Sequence, residues 1–149
     1  MKIILLTLLL SFSNFALSCP ILLGTWQSSK KKSMEYNSQS TELEKGQRDL
    51  LNQILGYTTI TYSKTEKIHH GLPPVKVNHN GTEYDFEFLE FTYPYDIVSC
   101  NDNAIIIEHK DEEFGDIQLT LNFEGQNTYW LSPETVLSKS REYFVRIAQ

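Results

Sequence analysis

The sequence predicts an all-β protein: an antiparallel up-and-down β-barrel of about eight to ten strands, with one helix between strands 1 and 2. Three observations predict it. Most segments after Gly56 alternate apolar and polar residues with a period of two, turn residues separate these segments at short spacing, and Gly24-Thr25-Trp26 opens the first strand. A barrel also removes the unpaired sheet edges that such apolar strands would otherwise expose.

The first strand is predicted to run from Thr25 to about Tyr36. Trp26 and Tyr36 are separated by an even number of positions, so both side chains would point to the same face of the strand. Lys30 and Lys32 would point to that face too. An unbroken strand would therefore point both lysines into the lumen, where a buried ammonium needs an anionic partner such as the carboxylate of a guest. We favour the alternative, a bulge that reverses the parity and leaves both lysines in solvent.

One long helix is predicted in the connection that follows this strand. Thr41 and Glu44 have the spacing of a capping box, apolar residues then recur at helical spacing, and Gly56 ends the pattern. We expect a helix from about Thr41 to Leu55 that serves the barrel as a lid or a plug.

The later strands place aromatic side chains on one face and acidic side chains on the other. Asn80-Gly81 is the strongest hairpin signal, because both residues tolerate the positive φ angles of a type I′ turn. Alternating aromatic and acidic residues follow it. The side chains expected to face the lumen and contact a ligand are Ile60, Tyr62, Tyr84, Phe86, Phe88 and Phe123. The alternative for the same side chains is that they fill a narrow barrel completely.

The first 18 residues have the pattern of an export signal. Lys2 supplies a positive start, residues 3–10 are apolar, and Ala16 and Ser18 place small residues before a cleavage point. The apolar stretch is too short for a stable membrane anchor. We therefore expect residues 1–18 to be a signal peptide, residues 19–149 to form one domain, and the mature protein to be secreted or periplasmic.

Cys19 and Cys100 are the two cysteines of the chain, and both remain after cleavage. Such a pair usually forms a disulfide in an oxidising compartment, and we predict one here. The alternative is a bacterial lipoprotein, because Ala16-Leu17-Ser18-Cys19 faintly resembles a lipoprotein box. Cys19 would then carry lipid, Cys100 would stay free, and only then would the protein contact a membrane.

The chain is acidic, with a formal net charge of −6. An acidic domain repels phosphate backbones, so we expect no nucleic-acid partner. The same charge would attract a cationic protein partner.

No catalytic constellation is recognisable, so we predict that the protein is not an enzyme and needs no cofactor. The adjacent His69 and His70 would point to opposite faces of a strand, so we expect no metal site. We interpret these two residues, His79 and His109 as exposed histidines near loops. The acidic run from Glu108 to Asp116 lacks the spacing of a calcium loop and is predicted to be a solvated hairpin tip.

The two ends of the mature chain resemble those of the bacterial lipocalin-like domains, which belong to the calycin superfamily with lipocalins and fatty-acid-binding proteins. These segments are Gly24-Thr25-Trp26 and Glu142-Tyr143-Phe144-Val145-Arg146-Ile147. The resemblance implies a lipocalin-like β-barrel over residues 19–149, with Trp26 and Arg146 stacked across its floor. A guanidinium over an indole is a favourable cation–π pair. Arg141 is a competing partner for Trp26. The chain departs from the fatty-acid-binding branch in having an export signal and one predicted helix instead of two.

Two functions from different classes remain. The first is a secreted, non-catalytic carrier or sensor that binds a small hydrophobic ligand in the barrel. The second is a protein-binding module, an inhibitor or immunity-type protein, whose acidic surface binds a cationic partner while a side-chain-filled barrel serves as scaffold. A cavity of a few hundred cubic ångströms would favour the carrier, and a filled lumen would favour the module.

Overall fold

The computed structural model of the chain describes residues 18–79, 81–111, 115–133 and 137–148. The predicted signal peptide lies outside these residues except for Ser18. The helices and strands of the described part are β1 (Gly24–Ser28), α1 (Lys30–Asn37), α2 (Lys45–Ile54), β2 (Thr59–Tyr62), β3 (Glu66–His69), β4 (Leu72–His79), β5 (Thr82–Phe88), β6 (Phe91–Pro94), β7 (Asp96–Asn101), β8 (Ala104–Asp111), β9 (Gly115–Phe123), β10 (Thr128–Leu131) and β11 (Glu142–Ala148).

Nine of the described strands form one antiparallel sheet that closes nearly into a barrel, in the order β6-β3-β2-β1-β11-β10-β9-β8-β7. The first and last strands of this order, β6 and β7, are separated in the chain by Tyr95 alone. Next to the seam between them, the Tyr93 hydroxyl on β6 donates to Asp111 at 3.1 Å and so links β6 to β8, the neighbour of β7 in the sheet. The predicted antiparallel barrel of about eight to ten strands is confirmed.

β4 and β5 form a separate two-stranded hairpin between β3 and β6. Its turn lies where the sequence predicts it, and Gly81 there has a φ of +83°; Asn80 lies outside the described residues. The Gln53 side chain of α2 accepts from the Asn78 backbone N–H at 2.6 Å and donates to the Asn78 carbonyl at 2.9 Å. These two bonds attach the hairpin to α2.

The predicted extension of the first strand to Tyr36 is wrong, because β1 ends at Ser28 and residues 30–37 form α1. The lumenal placement of Lys30 and Lys32 is therefore wrong, and no bulge is present at these two residues, because a helix turns them away from the strand. Lys30 is exposed. The Lys32 ammonium lies 5.9 Å from the centre of the Tyr143 ring.

A polar contact, not an apolar stripe, holds α1 against the barrel. Ser33 and Asn37 are fully buried on it. The Ser33 hydroxyl accepts from the Tyr143 backbone N–H at 2.9 Å. The Asn37 amide donates to the Arg141 carbonyl at 2.8 Å and accepts from the Arg141 N–H at 2.9 Å. α1 therefore satisfies backbone groups where the chain enters β11, which a search for apolar periodicity cannot detect.

The predicted long helix is present in a shorter form as α2, so two helices occupy the connection where the sequence predicts one. Its capping box consists of Glu44 and Gln47, one turn later than predicted. The Glu44 N–H donates to the Gln47 side chain at 2.9 Å. Leu51 of α2 forms a small buried cluster with Leu43 and Leu55, which flank the helix, and Met34 and Leu137 pack against this cluster.

Trp26 closes one end of the barrel, which we call the floor. Its side chain is fully buried and its indole N–H donates to the Leu22 carbonyl at 2.8 Å. The Tyr129 and Phe123 rings pack edge-on against the indole, with centroids 4.8 Å and 6.0 Å away. The Arg146 guanidinium lies over the other side, 4.1 Å from the ring centre.

Arg146 also ties the floor to the segments around it. Its guanidinium donates to the backbone carbonyls of Ile21 and Leu23. It also donates to the Asn127 side chain at 3.2 Å, in the turn between β9 and β10. The competing candidate, Arg141, instead lies 3.7 Å from the ring centre of Trp130.

Cys19 and Cys100 form a disulfide, as predicted, with Cα atoms 5.5 Å apart and 81 positions apart in sequence. It joins the start of the described chain to β7. The lipoprotein alternative would need the Cys19 sulfur to be free of Cys100. Within the described residues, no helix is long and apolar enough to cross a membrane.

Trp26→Ala is expected to lower the free energy of unfolding by about 3–5 kcal/mol, because it removes a large, fully buried side chain from the floor. Chemical denaturation measures this change. Trp130→Ala is the matched control, and its loss should be clearly smaller because Trp130 is only half-buried. Equal losses in the two variants would contradict the floor's central role.

The double variant Cys19→Ser, Cys100→Ser is expected to lose about 2–5 kcal/mol of stability, since the bond closes a long loop in the unfolded chain. Intact-mass analysis of the exported protein should find two hydrogens fewer than in the reduced form. Acyl chains on Cys19, or two free thiols, would contradict the pairing.

Candidate functional site

A cavity of about 320 Å³ lies inside the barrel at the end away from the floor. Its apolar lining comes from the barrel wall, from α2 and from the β4–β5 hairpin. The lining residues are Ile54, Leu55, Thr58, Ile60, Tyr62, Lys67, His69, Phe86, Phe88, Leu119, Leu131, Glu142 and Phe144. Four of the six side chains predicted to face the lumen are among them: Ile60, Tyr62, Phe86 and Phe88.

The other two predicted lumen residues lie elsewhere. Tyr84 is 40% exposed on β5 and does not line the cavity. Phe123 is buried in the core beside Trp26, on the floor side. Between floor and cavity, the hydroxyls of Tyr62 and Tyr129 lie 3.4 Å apart, and burial raises the pKa of both. One half of the barrel is therefore filled with side chains and the other half is open.

The cavity has a cationic pole at Lys67, which sequence reasoning missed. Lys67 is only 3% exposed on β3, and its ammonium lies 5.7 Å from the centre of the Tyr93 ring. Within the described residues it makes no ion pair and no hydrogen bond. Burial lowers the pKa of Lys67 from 10.5 to about 8, so most of the side chain is still charged at neutral pH.

Two histidines lie near this pole, which corrects their interpretation as exposed residues near loops. His69 shares the inward face of β3 with Lys67, stacks on Phe91 at 4.2 Å and lines the cavity. His109 is 7% exposed on β8 and packs 4.9 Å from Tyr93. Within the described residues, His69 Nε2 and His109 Nδ1 are buried without a hydrogen-bond partner.

Both imidazoles are neutral at physiological pH. Burial, followed by the charge of Lys67 and the nearby imidazoles, lowers the pKa of His69 to about 3. Burial and the charge of Lys67 also lower the pKa of His109, although Asp111 partly opposes them. His70 points outward, and its Nε2 lies 2.8 Å from the Thr61 hydroxyl.

Glu142 lines the same cavity from β11, at the end nearest the helices. Burial raises the pKa of its carboxyl group, and hydrogen bonds from the Ser28 and Thr58 hydroxyls partly oppose that rise. The Ser28 oxygen in turn accepts from the Gly56 N–H at 3.0 Å. This carboxyl group is therefore held by β1 and by residue 58, and does not neutralise Lys67.

The arrangement suits binding better than proton transfer. The polar groups of the cavity are divided between a cationic pole and a carboxyl group held by hydroxyls, while apolar side chains line the space between them. In the described part of the chain, no three His, Cys, Asp or Glu side chains converge as metal ligands.

The acidic run predicted as a solvated tip is partly structural, because Asp111 accepts the seam hydrogen bond from Tyr93.

Comparisons of this chain with family models, with curated proteins and with solved structures each give no match.

Lys67→Met is expected to stabilise the ligand-free protein by about 1–3 kcal/mol at neutral pH, because it removes the cost of burying an unpaired ammonium. The native pKa of Lys67, about 8, is below the ordinary value of 10.5, so the unfolded chain binds its proton more tightly. Wild-type stability should therefore rise between these two pH values, and the advantage of the variant should shrink.

Urea unfolding at neutral and alkaline pH measures this difference. The matched control is Lys64→Met, an exposed lysine in the turn before β3, which should change stability little at any pH. A Lys67→Met protein that is less stable than wild type at neutral pH would show that the ammonium has a stabilising partner in the folded state.

Proposed function

We propose that this protein is an exported, non-catalytic carrier that binds a small, largely apolar molecule in the barrel. The observation that carries the proposal is the cavity of about 320 Å³. Ligand pockets occupy roughly 300–1,000 Å³ and combine mostly apolar walls with a few polar groups. This cavity lies at the lower end of that range, which favours a ligand of modest size.

The shape of the barrel supports the carrier over the protein-binding module. The module needs only a scaffold, and a scaffold is most stable when side chains fill it to crystal-like density. Here the floor is filled in that way, whereas the opposite half is left open beneath α2 and the hairpin. A cationic partner for the acidic surface remains the second hypothesis, with no contact in the described residues that favours it.

Export and family membership are parts of the same proposal. The Cys19–Cys100 disulfide supports an oxidising compartment outside the cytoplasm. Nine barrel strands, helices after the first strand and the Trp26–Arg146 stack support a relationship to the bacterial lipocalin-like domains. Fold likeness does not identify the ligand, because function depends on the residues of the site.

The purified mature protein is expected to bind an environment-sensitive apolar dye saturably, and medium-chain fatty acids should displace the dye. Leu119→Trp should weaken dye binding by about tenfold or more, because the larger side chain occupies the cavity. Ile97→Trp is the matched control on β7; its side chain is 51% exposed and lies outside the cavity lining, so binding should be unchanged.

A thermal melt of each protein establishes that it is folded, and Leu131→Phe serves as a second cavity-filling variant with a smaller change in volume. Folded wild-type protein that shows no saturable binding would contradict the carrier proposal. Dye binding that neither cavity-filling variant weakens would place the dye outside the barrel and contradict it as well. Pull-down with basic secreted proteins then tests the acidic-surface hypothesis.

A further inference from the structure

The chemical class of the ligand can be inferred from the polar groups of the cavity, and this inference rests on the proposed carrier function. A buried ammonium without a counter-ion is costly, so folded proteins almost always pair one. Lys67 is 3% exposed, has no ion pair within the described residues and lines a cavity. In the part of the chain that the structure describes, no negative charge pairs with this ammonium, and the cavity is the space from which a ligand could supply one.

The neighbours of Lys67 do not supply that charge. Glu142, the carboxyl group of the cavity lining, lies on β11, is held by the hydroxyls of Ser28 and Thr58, and is not within ion-pair distance of the Lys67 ammonium. Asp111 accepts a hydrogen bond from Tyr93 and lies beyond ion-pair distance of the Lys67 ammonium. Among the described residues, the other groups near the ammonium are neutral imidazoles and aromatic rings.

His69 provides a second group suited to an anion. It lines the cavity on the same face of β3, and its Nε2 atom is buried without a partner in the described part of the chain. A neutral imidazole carries one N–H, and that N–H can donate to a carboxylate oxygen. One ammonium and one neutral donor match a single negative charge, whereas a dianion such as a phosphate would keep one charge uncompensated in a desolvated site.

We propose that the barrel binds a medium-chain carboxylate, with the carboxylate paired to Lys67 and hydrogen-bonded by His69. Its apolar tail lies along Ile60, Leu119, Phe86 and Phe88, beneath α2 and the hairpin. The modest cavity volume of about 320 Å³ favours a medium chain over a long one. The charged pole favours an acid over an alcohol or a hydrocarbon of the same length.

The pairing makes binding depend on pH. Of the residues that the structure describes, the titratable groups near Lys67 are His69 on its own strand, Tyr62 on β2, Tyr93 on β6, and His109 and Asp111 on β8, while Glu142 lines the same cavity from β11. Of these, the histidines are neutral across the physiological range, because burial lowers their pKa values. Affinity for a carboxylate should therefore be constant near neutral pH and fall as the pH rises through about 8, where the free ammonium loses its proton.

The test compares dodecanoate with dodecanol, which have the same tail and differ in charge. Calorimetric or dye-displacement titrations are made with wild type, Lys67→Met and the control Lys64→Met. We expect wild type to bind dodecanoate about tenfold or more tightly than dodecanol at neutral pH, and Lys67→Met to lose that preference while still binding dodecanol. Lys64→Met should behave as wild type, and only the proteins with Lys67 should lose dodecanoate affinity at alkaline pH.

The results of these titrations distinguish a failure of the carboxylate assignment from a failure of the carrier function on which it rests. If both probes bind folded wild type equally and Lys67→Met changes neither affinity, the carrier stands and the carboxylate assignment is overturned. If neither probe binds folded wild type, both proposals are overturned together. A lost preference that also appears in Lys64→Met would assign the effect to surface charge and overturn the role of Lys67.

Discussion

The stack of Arg146 over Trp26 is the interaction on which the rest of the barrel depends. It brings together β1, β11, the segment before β1 and the turn after β9, because the guanidinium also donates to Ile21, Leu23 and Asn127. Beneath it the indole packs against two further aromatic rings, so this end has no space for a guest. Once the floor is closed, any ligand space must lie toward the helices.

The opposite end is assembled from weaker, more polar contacts. α1 is attached through Ser33 and Asn37, and α2 is attached to the hairpin through Gln53. The Gln53 bonds are exposed to water, which can replace them at little net cost, whereas opening the floor exposes a large apolar area. Local opening therefore costs less at the helical end, which is the end through which the proposed ligand would enter.

The barrel could be predicted from sequence because alternation with a period of two and a glycine turn are local signals. The disulfide followed from the count of cysteines. α1 could not be predicted in this way, since its buried residues are Ser33 and Asn37 and its partner is backbone. The cationic pole was missed for a related reason: Lys67 and His69 occupy inward positions of β3, but alternation assigns charged and polar residues to solvent. The available signal was that Lys67 and His69 are two positions apart, so their side chains point to the same face of β3.

The position of Lys67 is better explained by ligand recognition than by folding. A methionine there would fill the same volume without desolvating a charge, and small domains have only about 5–15 kcal/mol of net stability to oppose such a cost. Local rules are commonly broken where a site needs a group that the fold does not. Elsewhere the described residues follow the rules more closely: the main core cluster is apolar, neighbouring strands in the sheet order are hydrogen-bonded, and both helices begin at a capping residue. The exception lies at the cavity, beside two imidazoles without hydrogen-bond partners among the described residues. A single incoming carboxylate can neutralise the ammonium and accept a hydrogen bond from His69.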